Sequence, residues 1–327
     1  MIDESSVKID GNNLTFRVTN SIDYGNAVLA VFDNAGQIAW SWHIWATDYD
    51  PYAAGGTKTV QNRTAPNTTY DFMTQNLGWC PGPKYEARSQ HLLLTEAETG
   101  ATVVVTIEQT AHTLGNNTYY QWGRKDPFPG GLTGNVNKPT YGPAEYIWPA
   151  TGNAPGSQTI RSSDITEYIK NPYKFNLNSS MDGRYYNLWS ANNNVDDVNT
   201  TKPVKTVYDP SPTGFVMPPN GAFSGFTTTG ENENAFNSSA EFNVDGAWAS
   251  GWNFYCNTNG TGETIYFHAS GGRSNDGMIS GMATYSYIWH AVSQYGNRYN
   301  LYFTSRYVAP KNTNVPNGGF AVRPVRE

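Results

Sequence analysis

Hydrophobic and polar residues alternate along much of this chain in short runs, with the period of two that is typical of half-buried β-strands. Residues 7–9 and 14–18 alternate on either side of the turn sequence Asp10-Gly11, which predicts a hairpin. Residues 27–32 form a continuous apolar strand, and residues 38–45 return after a turn. Because residues 38–45 are apolar on both faces, we expect this strand to be covered on both sides.

The same alternation returns further along the chain. Residues 92–94 and 102–107 predict a hairpin around Thr99-Gly100. Later strands are predicted at residues 248–255, 264–268, 286–291, 299–304 and 320–325. The best helix signal is Ser163, a good N-cap with a carboxylate in the turn after it, and we expect Pro172 to end that helix.

Many short strands, few helices and long aromatic-rich loops predict an α+β, β-rich fold with mixed sheets. No internal repeat and no low-complexity linker divides the chain, so we expect residues 1–327 to form a single compact surface domain. Residues 1–50 alternatively form a separate strand layer packed on that domain. The aromatic residues that we expect to be mostly buried are Trp40, Trp42, Trp122, Trp148, Phe215, Trp252, Tyr266, Trp289, Tyr302 and Phe320.

The last ten residues alternate between apolar and basic side chains, which predicts a C-terminal strand within a sheet. Phe320 and Val322 are expected to face the core, while Arg323 and Arg326 are expected to face polar partners. Removing this strand would take apolar side chains out of the core and leave a neighbouring strand unpaired. The C-terminal segment is therefore predicted to be structural.

Composition narrows the class of protein. Charged residues make up 15% of the chain and aromatic residues 14%, whereas charged residues make up about 25% of a typical soluble domain. A neutral polar surface of this kind is typical of β-rich extracellular proteins. The net charge of −6 and the scattered lysines and arginines argue against nucleic acid and acidic membrane surfaces as partners, because phosphate binding needs a basic patch.

The chain shows neither a membrane span nor a secretion signal. No segment approaches the roughly 18–20 apolar residues of a transmembrane helix, and the first residues lack the basic and apolar regions of a signal peptide. An exported protein with this sequence would therefore be a trimmed form. Two cysteines are too few for a disulfide scaffold, and Cys80 and Cys256 are either paired or buried thiols.

The common enzyme motifs are absent from the sequence. There is no nucleophile elbow, phosphate-binding loop, dinucleotide fingerprint or His-Glu-x-x-His, and the five histidines lie far apart, so we predict no catalytic residue, cofactor or metal site. Glycoside hydrolysis stays open, since it needs only two carboxyl groups at the right spacing. The candidate pairs are Asp48 with Asp50, Asp196 with Asp197, and Glu231 with Glu233, each of which fits a solvated turn better or could bind calcium.

Four segments have an unusual residue order. They are Trp40-Ser41-Trp42-His43-Ile44-Trp45, Tyr119-Tyr120-Gln121-Trp122-Gly123-Arg124-Lys125-Asp126-Pro127-Phe128, Tyr208-Asp209-Pro210-Ser211-Pro212-Thr213-Gly214-Phe215, and Tyr299-Asn300-Leu301-Tyr302-Phe303 with the C-terminal segment. Together they resemble the C-terminal domains of fimbrillin-like and major-paralogous-domain surface lipoproteins of Bacteroidetes. The resemblance covers about residues 25–327.

The resemblance implies a fold, a location and a role. Such domains are similar to the C-type-lectin and sulfatase-modifying-factor fold, and they belong to exported proteins of the bacterial cell surface and outer membrane, attached through a lipoprotein anchor. Adhesion to a glycan or to a host or pilus protein is the implied activity. Ser211 stands where the family commonly has cysteine, so a disulfide at that position is not implied, and Cys80 and Cys256 match no sulfatase-modifying motif.

We therefore predict a non-catalytic adhesin or binding module. Sugars stack their apolar faces on aromatic rings and hydrogen-bond to amide and carboxylate side chains, which favours an aromatic segment followed by an Asn/Asp loop. The predicted ligand-binding residues are Tyr185, Tyr186, Trp189, Asp196 and Asp197. In the competing interpretation, Tyr186 and Trp189 belong to the core and the loop is an ordinary turn.

Two other classes of function stay open at this point. A carbohydrate-active enzyme would use two loop carboxylates about 5–10 Å apart in one cleft, at least one of them with a raised pKa. A structural pilus subunit would expose a strand edge or groove that accepts a strand from another subunit.

Overall fold

The computed structural model describes residues 2–19, 24–109, 111–130, 159–180, 187–192, 201–234, 241–294 and 297–327. Over these ranges the chain is mostly β, with many antiparallel sheets and two short helices. The N-terminal strands are β1 (Ile2–Asp10), β2 (Asn13–Val18), β3 (Gly25–Phe32), β4 (Ile38–Ala46), β5 (Thr57–Gln61), β6 (Thr69–Met73), β7 (Cys80–Tyr85), β8 (Arg88–Thr95), β9 (Thr102–Gln109), β10 (His112–Asn116) and β11 (Tyr120–Gln121).

The second half of the chain supplies the remaining elements. Its strands are β12 (Thr159–Ile160), β13 (Phe175–Asn176), β14 (Phe215–Val216), β15 (Glu233–Asn234), β16 (Val244–Asp245), β17 (Gly251–Tyr255), β18 (Thr264–His268), β19 (Ser270–Arg273), β20 (Ile279–Met282), β21 (Tyr285–Gln294), β22 (Asn297–Thr304), β23 (Tyr307–Asn314), β24 (Gly319–Phe320) and β25 (Val325–Arg326). The helices are α1 (Thr166–Lys170) and a 3-10 helix (Asn220–Phe226).

The largest sheet has eight strands in the order β11-β24-β19-β21-β22-β23-β15, with β20 paired to β19. Its middle is an antiparallel meander of β21, β22 and β23, while β19 and β21 run parallel. Mixed pairing within one sheet confirms the predicted mixed character. A four-stranded sheet (β14-β25-β6-β5) and a three-stranded sheet (β16-β17-β18) complete the main body.

Two clusters of aromatic side chains form the core. The first joins the three sheets through buried phenylalanines, among which Phe226 stacks on Phe254 with ring centroids 4.0 Å apart. The second is built on tryptophans, with Trp289 packed 4.3 Å from the Phe320 ring. Burial of such large rings is the dominant favourable term in the folding of a chain this poor in charge.

The predicted burial of aromatic residues is largely confirmed. The fully buried members of the predicted set are Trp122, Phe215, Trp252, Trp289 and Phe320, and the half-buried members are Trp40, Tyr266 and Tyr302. Trp148 lies outside the described residues. The prediction for Trp42 is wrong, since 39% of its surface is exposed.

The exposure of Trp42 follows from the pairing of its strand. In the described part of the chain, β3 and β4 pair only with each other. Ser41 faces inward and is buried, so the alternation of the strand turns Trp42 outward. The expectation that this strand is covered on both sides is therefore wrong, because no second sheet of the described residues lies over Trp42.

The α-helix α1 begins later than its sequence signal. Its N-cap is Ile165 rather than Ser163, and Asp164 Oδ1 accepts a hydrogen bond from the Thr166 amide at 2.9 Å. The residues before the helix are held extended by the parallel pair β12–β13 and by Asn176, whose amide donates to Ser162 O at 2.7 Å. The predicted N-cap at Ser163 is thus wrong, whereas the end of the helix just before Pro172 is confirmed.

Both predicted N-terminal hairpins are present. β1 and β2 meet at the pair Asp10–Asn13, and β8 and β9 meet at the pair Thr95–Thr102. The predicted C-terminal strand is instead two short strands, β24 and β25, separated by Ala321 to Pro324. It is interrupted because the chain crosses here from the eight-stranded sheet to the four-stranded sheet.

Arg323 sits at that crossing, completely buried. Its guanidinium donates to Asn76 Oδ1 at 2.6 Å, to Met73 O at 3.0 Å and to Tyr266 O at 3.3 Å. The same group lies 4.1 Å from the centroid of the Phe267 ring. Burial lowers the pKa of Arg323 to about 9. The expectation that Arg323 meets polar partners is confirmed, but these partners lie inside the protein.

Replacing Arg323 with methionine should destabilise the protein strongly. The change leaves a buried amide oxygen and two buried carbonyl groups without their donor, and each such group costs about 1–3 kcal/mol. We expect a loss of more than about 3 kcal/mol in the free energy of unfolding, measured by urea denaturation.

Arg326→Met is the matched control, because Arg326 is exposed three residues further along the same segment. It should change stability by less than about 1 kcal/mol. Equal effects of the two substitutions would contradict the role assigned to Arg323.

Candidate functional site

The predicted ligand-binding segment is only partly described. Tyr185, Tyr186, Asp196 and Asp197 lie outside the described residues. Trp189 is fully buried, and its indole N–H donates to Arg124 O at 3.2 Å. A ring with no exposed face cannot stack on a sugar, so Trp189 is a core residue and its predicted role in ligand contact is wrong.

Trp189 is buried because it completes the tryptophan cluster. Its ring lies 5.3 Å from Trp122 and 6.4 Å from Trp289. Both neighbours come from segments with strong strand or turn signals, whereas the segment around Trp189 has no period that would have indicated which way its side chain points. Aromatic residues in irregular segments are therefore hard to assign from sequence alone.

Arg124 is a buried clamp rather than a ligand-binding group. Its guanidinium donates to Lys174 O at 2.8 Å and to Asn171 O at 2.9 Å, at the end of α1. It also lies over the rings of Phe128 and Tyr168, at 4.9 and 4.7 Å. Burial lowers the pKa of Arg124 to about 10. The Gln-Trp-Gly-Arg segment thus holds the helix against the large sheet.

Ser41, Lys125 and Asp126 form a buried cluster that at first sight resembles a serine–lysine nucleophile pair. Lys125 Nζ lies 2.6 Å from Ser41 Oγ, 2.8 Å from Ser41 O and 2.7 Å from Asp126 Oδ2. Ser41 Oγ in turn donates to Asp126 Oδ2 at 2.9 Å. All three contacts of Lys125 are hydrogen-bond acceptors. Burial lowers the pKa of Lys125, while the neighbouring Asp126 carboxylate favours its charged form.

The space beside this cluster is too small for a substrate. A cavity of about 10 Å³ is lined by Gly123, Arg124, Lys125, Asp126, Tyr168, Ile169 and Tyr208. That is about the volume that one water molecule requires. Ser41 and Asp126 therefore connect β4 to the turn before Phe128, and the cluster is structural.

A second polar chain links Tyr120, His43, Asn26 and Cys80. His43 Nδ1 lies 2.8 Å from Tyr120 Oη, and His43 Nε2 lies 2.8 Å from Asn26 Oδ1. The Asn26 amide then donates to Gly78 O at 2.9 Å and to Cys80 Sγ at 3.3 Å. Every group is satisfied if the tyrosine donates to Nδ1 and the proton of a neutral imidazole sits on Nε2.

This chain does not activate Cys80 as a nucleophile. The thiol bonds to an asparagine rather than to the histidine, and burial raises the pKa of Cys80 to about 11. Burial also lowers the pKa of His43 to about 3. A reactive cysteine needs the opposite shifts, toward thiolate and imidazolium. Cys80 and Cys256 are both free thiols, which settles the question of their pairing.

The candidate carboxylate pairs for glycoside hydrolysis are at the surface where they are described. Asp48 accepts a hydrogen bond from Tyr24 Oη at 2.6 Å, and Asp50 accepts one from the Tyr52 amide at 2.8 Å. Glu231 pairs with Lys311 at 2.5 Å. All three are ordinary surface contacts, and Asp196 and Asp197 lie outside the described residues.

Glu233 lies beside another carboxylate, Glu241. A direct hydrogen bond in which the protonated Glu241 carboxyl donates to Glu233 raises the pKa of Glu241. Glycosidases instead hold their carboxyl groups about 5–9.5 Å apart so that the sugar fits between them. This contact leaves no such space.

Within the described ranges, no group of three or more histidine, cysteine, aspartate or glutamate residues is arranged to hold a metal ion. The helices of the described residues are all too short or too polar to cross a membrane.

The best candidate for a binding site is an open groove of about 220 Å³ at one end of the three-stranded sheet. We call it the Asn243 groove, and its lining residues are Thr228, Phe242, Asn243, Val244, Tyr255, Thr258, Asn259 and Gly260. Pockets for drug-sized ligands are about 300–1,000 Å³. The Asn243 groove suits a smaller group, about the size of a single sugar ring.

The groove is built by the strand around residues 241–245. On one side the Asn243 amide donates to Phe226 O at 3.0 Å, at the end of the 3-10 helix. On the other side the Tyr255 amide donates to Asn243 O at 2.9 Å. The turn between β17 and β18 closes one end, where Asn257 and Asn259 accept hydrogen bonds from Thr261.

Asn243 forms the fixed floor of the groove. It is 2% exposed, and its Nδ2 donates to Gly225 O and to Asn257 O, both at 2.7 Å. Among the described residues its Oδ1 has no hydrogen-bond donor. Gly260 lies above this oxygen, such that a Cβ built on Gly260 would be 3.7 Å from it. A buried acceptor without a donor is rare and calls for a functional explanation.

The lining is aromatic and neutral. Tyr255 is half-buried, and its hydroxyl donates to Asp245 Oδ1 at 3.0 Å. This contact raises the pKa of Tyr255. The other lining groups are amides, hydroxyls and apolar side chains, and none of the lining residues is a histidine, lysine, arginine or carboxylic acid. Such a surface can bind a neutral polar ligand.

This groove was not predicted from the sequence. The Asn/Asp run after Trp189 was the predicted binding loop, and the segment that ends at Tyr255 was predicted only to be a strand. The available signal was the turn Asn257-Thr258-Asn259-Gly260-Thr261, which combines amide side chains with a glycine directly after an aromatic strand.

Comparison of the chain with protein-family models, with curated proteins and with solved structures returns no match.

The buried histidines should make the protein sensitive to acid. Burial lowers the pKa of His43 and His290 to about 3, and it also lowers the pKa of His268. In the unfolded chain each imidazole takes up a proton near pH 6.5. The unfolded state therefore binds more protons below that pH, and stability should fall as the pH drops from about 6.5 toward 3.

Each buried histidine contributes up to about 1.4 kcal/mol of lost stability per pH unit in this window. His43→Gln retains both hydrogen-bonding functions but cannot titrate, so its stability should depend less on pH than that of the wild type. Urea denaturation at pH 7 and pH 5 measures the difference. Parallel pH profiles would show that the pKa of His43 is the same in the folded and the unfolded protein.

Proposed function

We propose that this protein is a non-catalytic binding module for neutral carbohydrate and that the Asn243 groove is its ligand site. The observation that carries the proposal is the combination in one groove of a half-buried tyrosine ring, several amide and hydroxyl side chains, and, among the described lining residues, no charged side chain. Sugars present apolar ring faces and many hydroxyl groups. Tyr255 offers a face for stacking, and Asn259, Thr228 and Thr258 offer hydrogen bonds.

The charge around the groove favours neutral sugars over acidic ones. Glu241 and Asp245, on either side of the lining residues 242–244, are both exposed. Neither acid is paired with a lysine or arginine in a salt bridge of the described residues. Negative charge at the rim repels anionic ligands over distances up to the Debye length of about 8 Å at physiological salt. Sialylated or sulfated glycans should therefore bind more weakly than neutral ones.

The cellular setting of the proposal comes from the resemblance of four sequence segments to Bacteroidetes surface lipoproteins. In this setting the module is exported to the bacterial cell surface and outer membrane, where it acts as an adhesin. The low charge and the neutral polar composition are consistent with that location. A C-type-lectin-like core belongs to the same proposal.

A structural subunit of a surface fibre is the second candidate. One observation favours it: in the described part of the chain, five two-stranded sheets pair only within themselves, which leaves strand edges free. A subunit of this kind would assemble into polymers visible by electron microscopy at high concentration. A binding module would stay as discrete particles.

Tyr255→Ala should abolish most of the carbohydrate affinity. A neutral glycan identified on an array is titrated by calorimetry into wild type and variant, and we expect the dissociation constant to rise at least about tenfold, as for the loss of a central aromatic contact. The free energy of unfolding should change by much less than it does for a core aromatic residue, since Tyr255 is half-buried.

Tyr24→Ala is the matched control for this experiment. Tyr24 is also a surface tyrosine that donates to an aspartate, Asp48, but it lies outside the groove lining. Its substitution should leave affinity unchanged. The proposal fails if no neutral glycan binds, or if both tyrosine variants lose affinity equally. Release of free sugar during the titration would instead favour the carbohydrate-active enzyme.

A further inference from the structure

The hairpin formed by β8 and β9 is amphipathic, yet nothing in the described residues covers it. Every residue of β8 is exposed, as are the residues of β9 from Thr102 to Glu108. The cross-strand pairs Leu92–Val105 and Leu94–Val103 put their side chains on the same face. Ile107 extends this face. The five apolar side chains of the face are between 40% and 57% exposed. We call it the hairpin face.

The opposite side of the hairpin is more polar. It carries one apolar pair, Leu93–Val104, between His91–Thr106 and Thr95–Thr102. His91 Nδ1 lies 3.0 Å from Thr106 Oγ1. Antiparallel sheets commonly have one apolar face that packs against a partner and one polar face in water. By this pattern, the hairpin face is the side suited to packing against a partner. An isolated hairpin is at best marginally stable in water, so contact with a partner would stabilise it.

Charges at the two ends of the hairpin face are opposite in sign. Arg88 lies at the base of β8, where its Nε donates to Gln109 Oε1 at 3.1 Å. Glu96 lies at the tip, and its amide donates to Ala101 O at 2.8 Å, which continues the pairing of the strands by one step. Positions 88, 90, 92, 94 and 96 share one face, because side chains alternate along a strand. The face therefore runs from a cation through an apolar centre to an anion.

This sequence of charges is self-complementary, and its midpoint is Leu92. A twofold axis across the face at Leu92 would stack Leu92 on Leu92 of a second copy. It would also place Arg88 of each copy opposite Glu96 of the other. Two such charge pairs would form, one at each end of the face, and the two ends lie about 26 Å apart along the strand at 3.3 Å per residue. Two sheets packed in this way lie about 10 Å apart, within reach of long charged side chains.

We infer that the hairpin face binds the same face of a second copy of this chain, in an antiparallel, twofold-symmetric dimer. The face is small, burying roughly 500 Å² in total, whereas stable interfaces usually exceed about 1,200 Å². The dimer is therefore weak and reversible. It forms where copies are concentrated, as on a surface, and two modules held together gain avidity for a multivalent ligand.

Sedimentation velocity of the purified protein from about 1 to 500 µM tests the inference, since weak complexes populate only at high concentration. The average sedimentation coefficient should rise reversibly from the monomer value toward the dimer value. Leu92→Asp puts two like charges on the axis and should raise the dissociation constant at least about tenfold. Leu93→Asp, the same substitution one residue later on the opposite side, should leave it unchanged.

Charge reversal tests the identity of the partner. Arg88→Glu should weaken the dimer about threefold or more, because it sets two carboxylates against each other at both ends of the interface. Arg88→Glu combined with Glu96→Arg in the same chain should restore it. Melting curves of all variants should match, since every substituted residue is exposed.

Several results would overturn the inference. The wild type could stay monomeric to 500 µM, Leu93→Asp could weaken association as much as Leu92→Asp, or the double charge reversal could fail to restore it. In the last two cases the hairpin would be a nonspecific apolar surface or the site of a different partner. None of these results bears on carbohydrate binding, which uses the Asn243 groove.

Discussion

The structure depends on one charged group, the guanidinium of Arg323, which is buried away from water. Arg323 neutralises no carboxylate in the contacts that define its site. It is held by oxygen atoms from three separate segments, the end of β6, the loop at Asn76 and strand β18. An arginine has five N–H donors in a fixed fork, so one side chain can fix the relative position of several backbone segments. Hydrophobic packing alone is less directional, and it could not choose between the many ways of stacking similar aromatic rings.

A second buried arginine, Arg124, holds backbone carbonyl groups in the same way at the end of α1. In this chain, buried cations thus stand in place of longer helices and strands. Each guanidinium holds carbonyl groups that a longer helix or strand would otherwise satisfy. The arrangement suits a sequence rich in loops. It also explains why conspicuous sequence segments, such as the one containing Arg124 and Lys125, turn out to be scaffold, while the candidate ligand site lies in a plain turn between two strands.

Sequence reasoning gave the class of fold, because alternation of apolar residues reports directly on half-buried strands. It located both N-terminal hairpins, the end of the helix before Pro172 and the burial of Phe320. It failed where position depends on distant segments. The outward direction of Trp42 depends on whether another sheet lies over it, and the burial of Trp189 depends on two tryptophans from other parts of the chain. The Asn243 groove is likewise assembled by three segments, none of which is unusual alone.

The location of Arg323 has a consequence for how the protein is made. Its partner Asn76 lies 247 positions earlier in the chain, so the two groups can meet only after all the residues between them have been synthesised. Domains generally fold as units while chains emerge at about 5–20 residues per second, and contacts between distant residues form slowly. The core around Arg323 would thus stay open until residue 323 has left the ribosome.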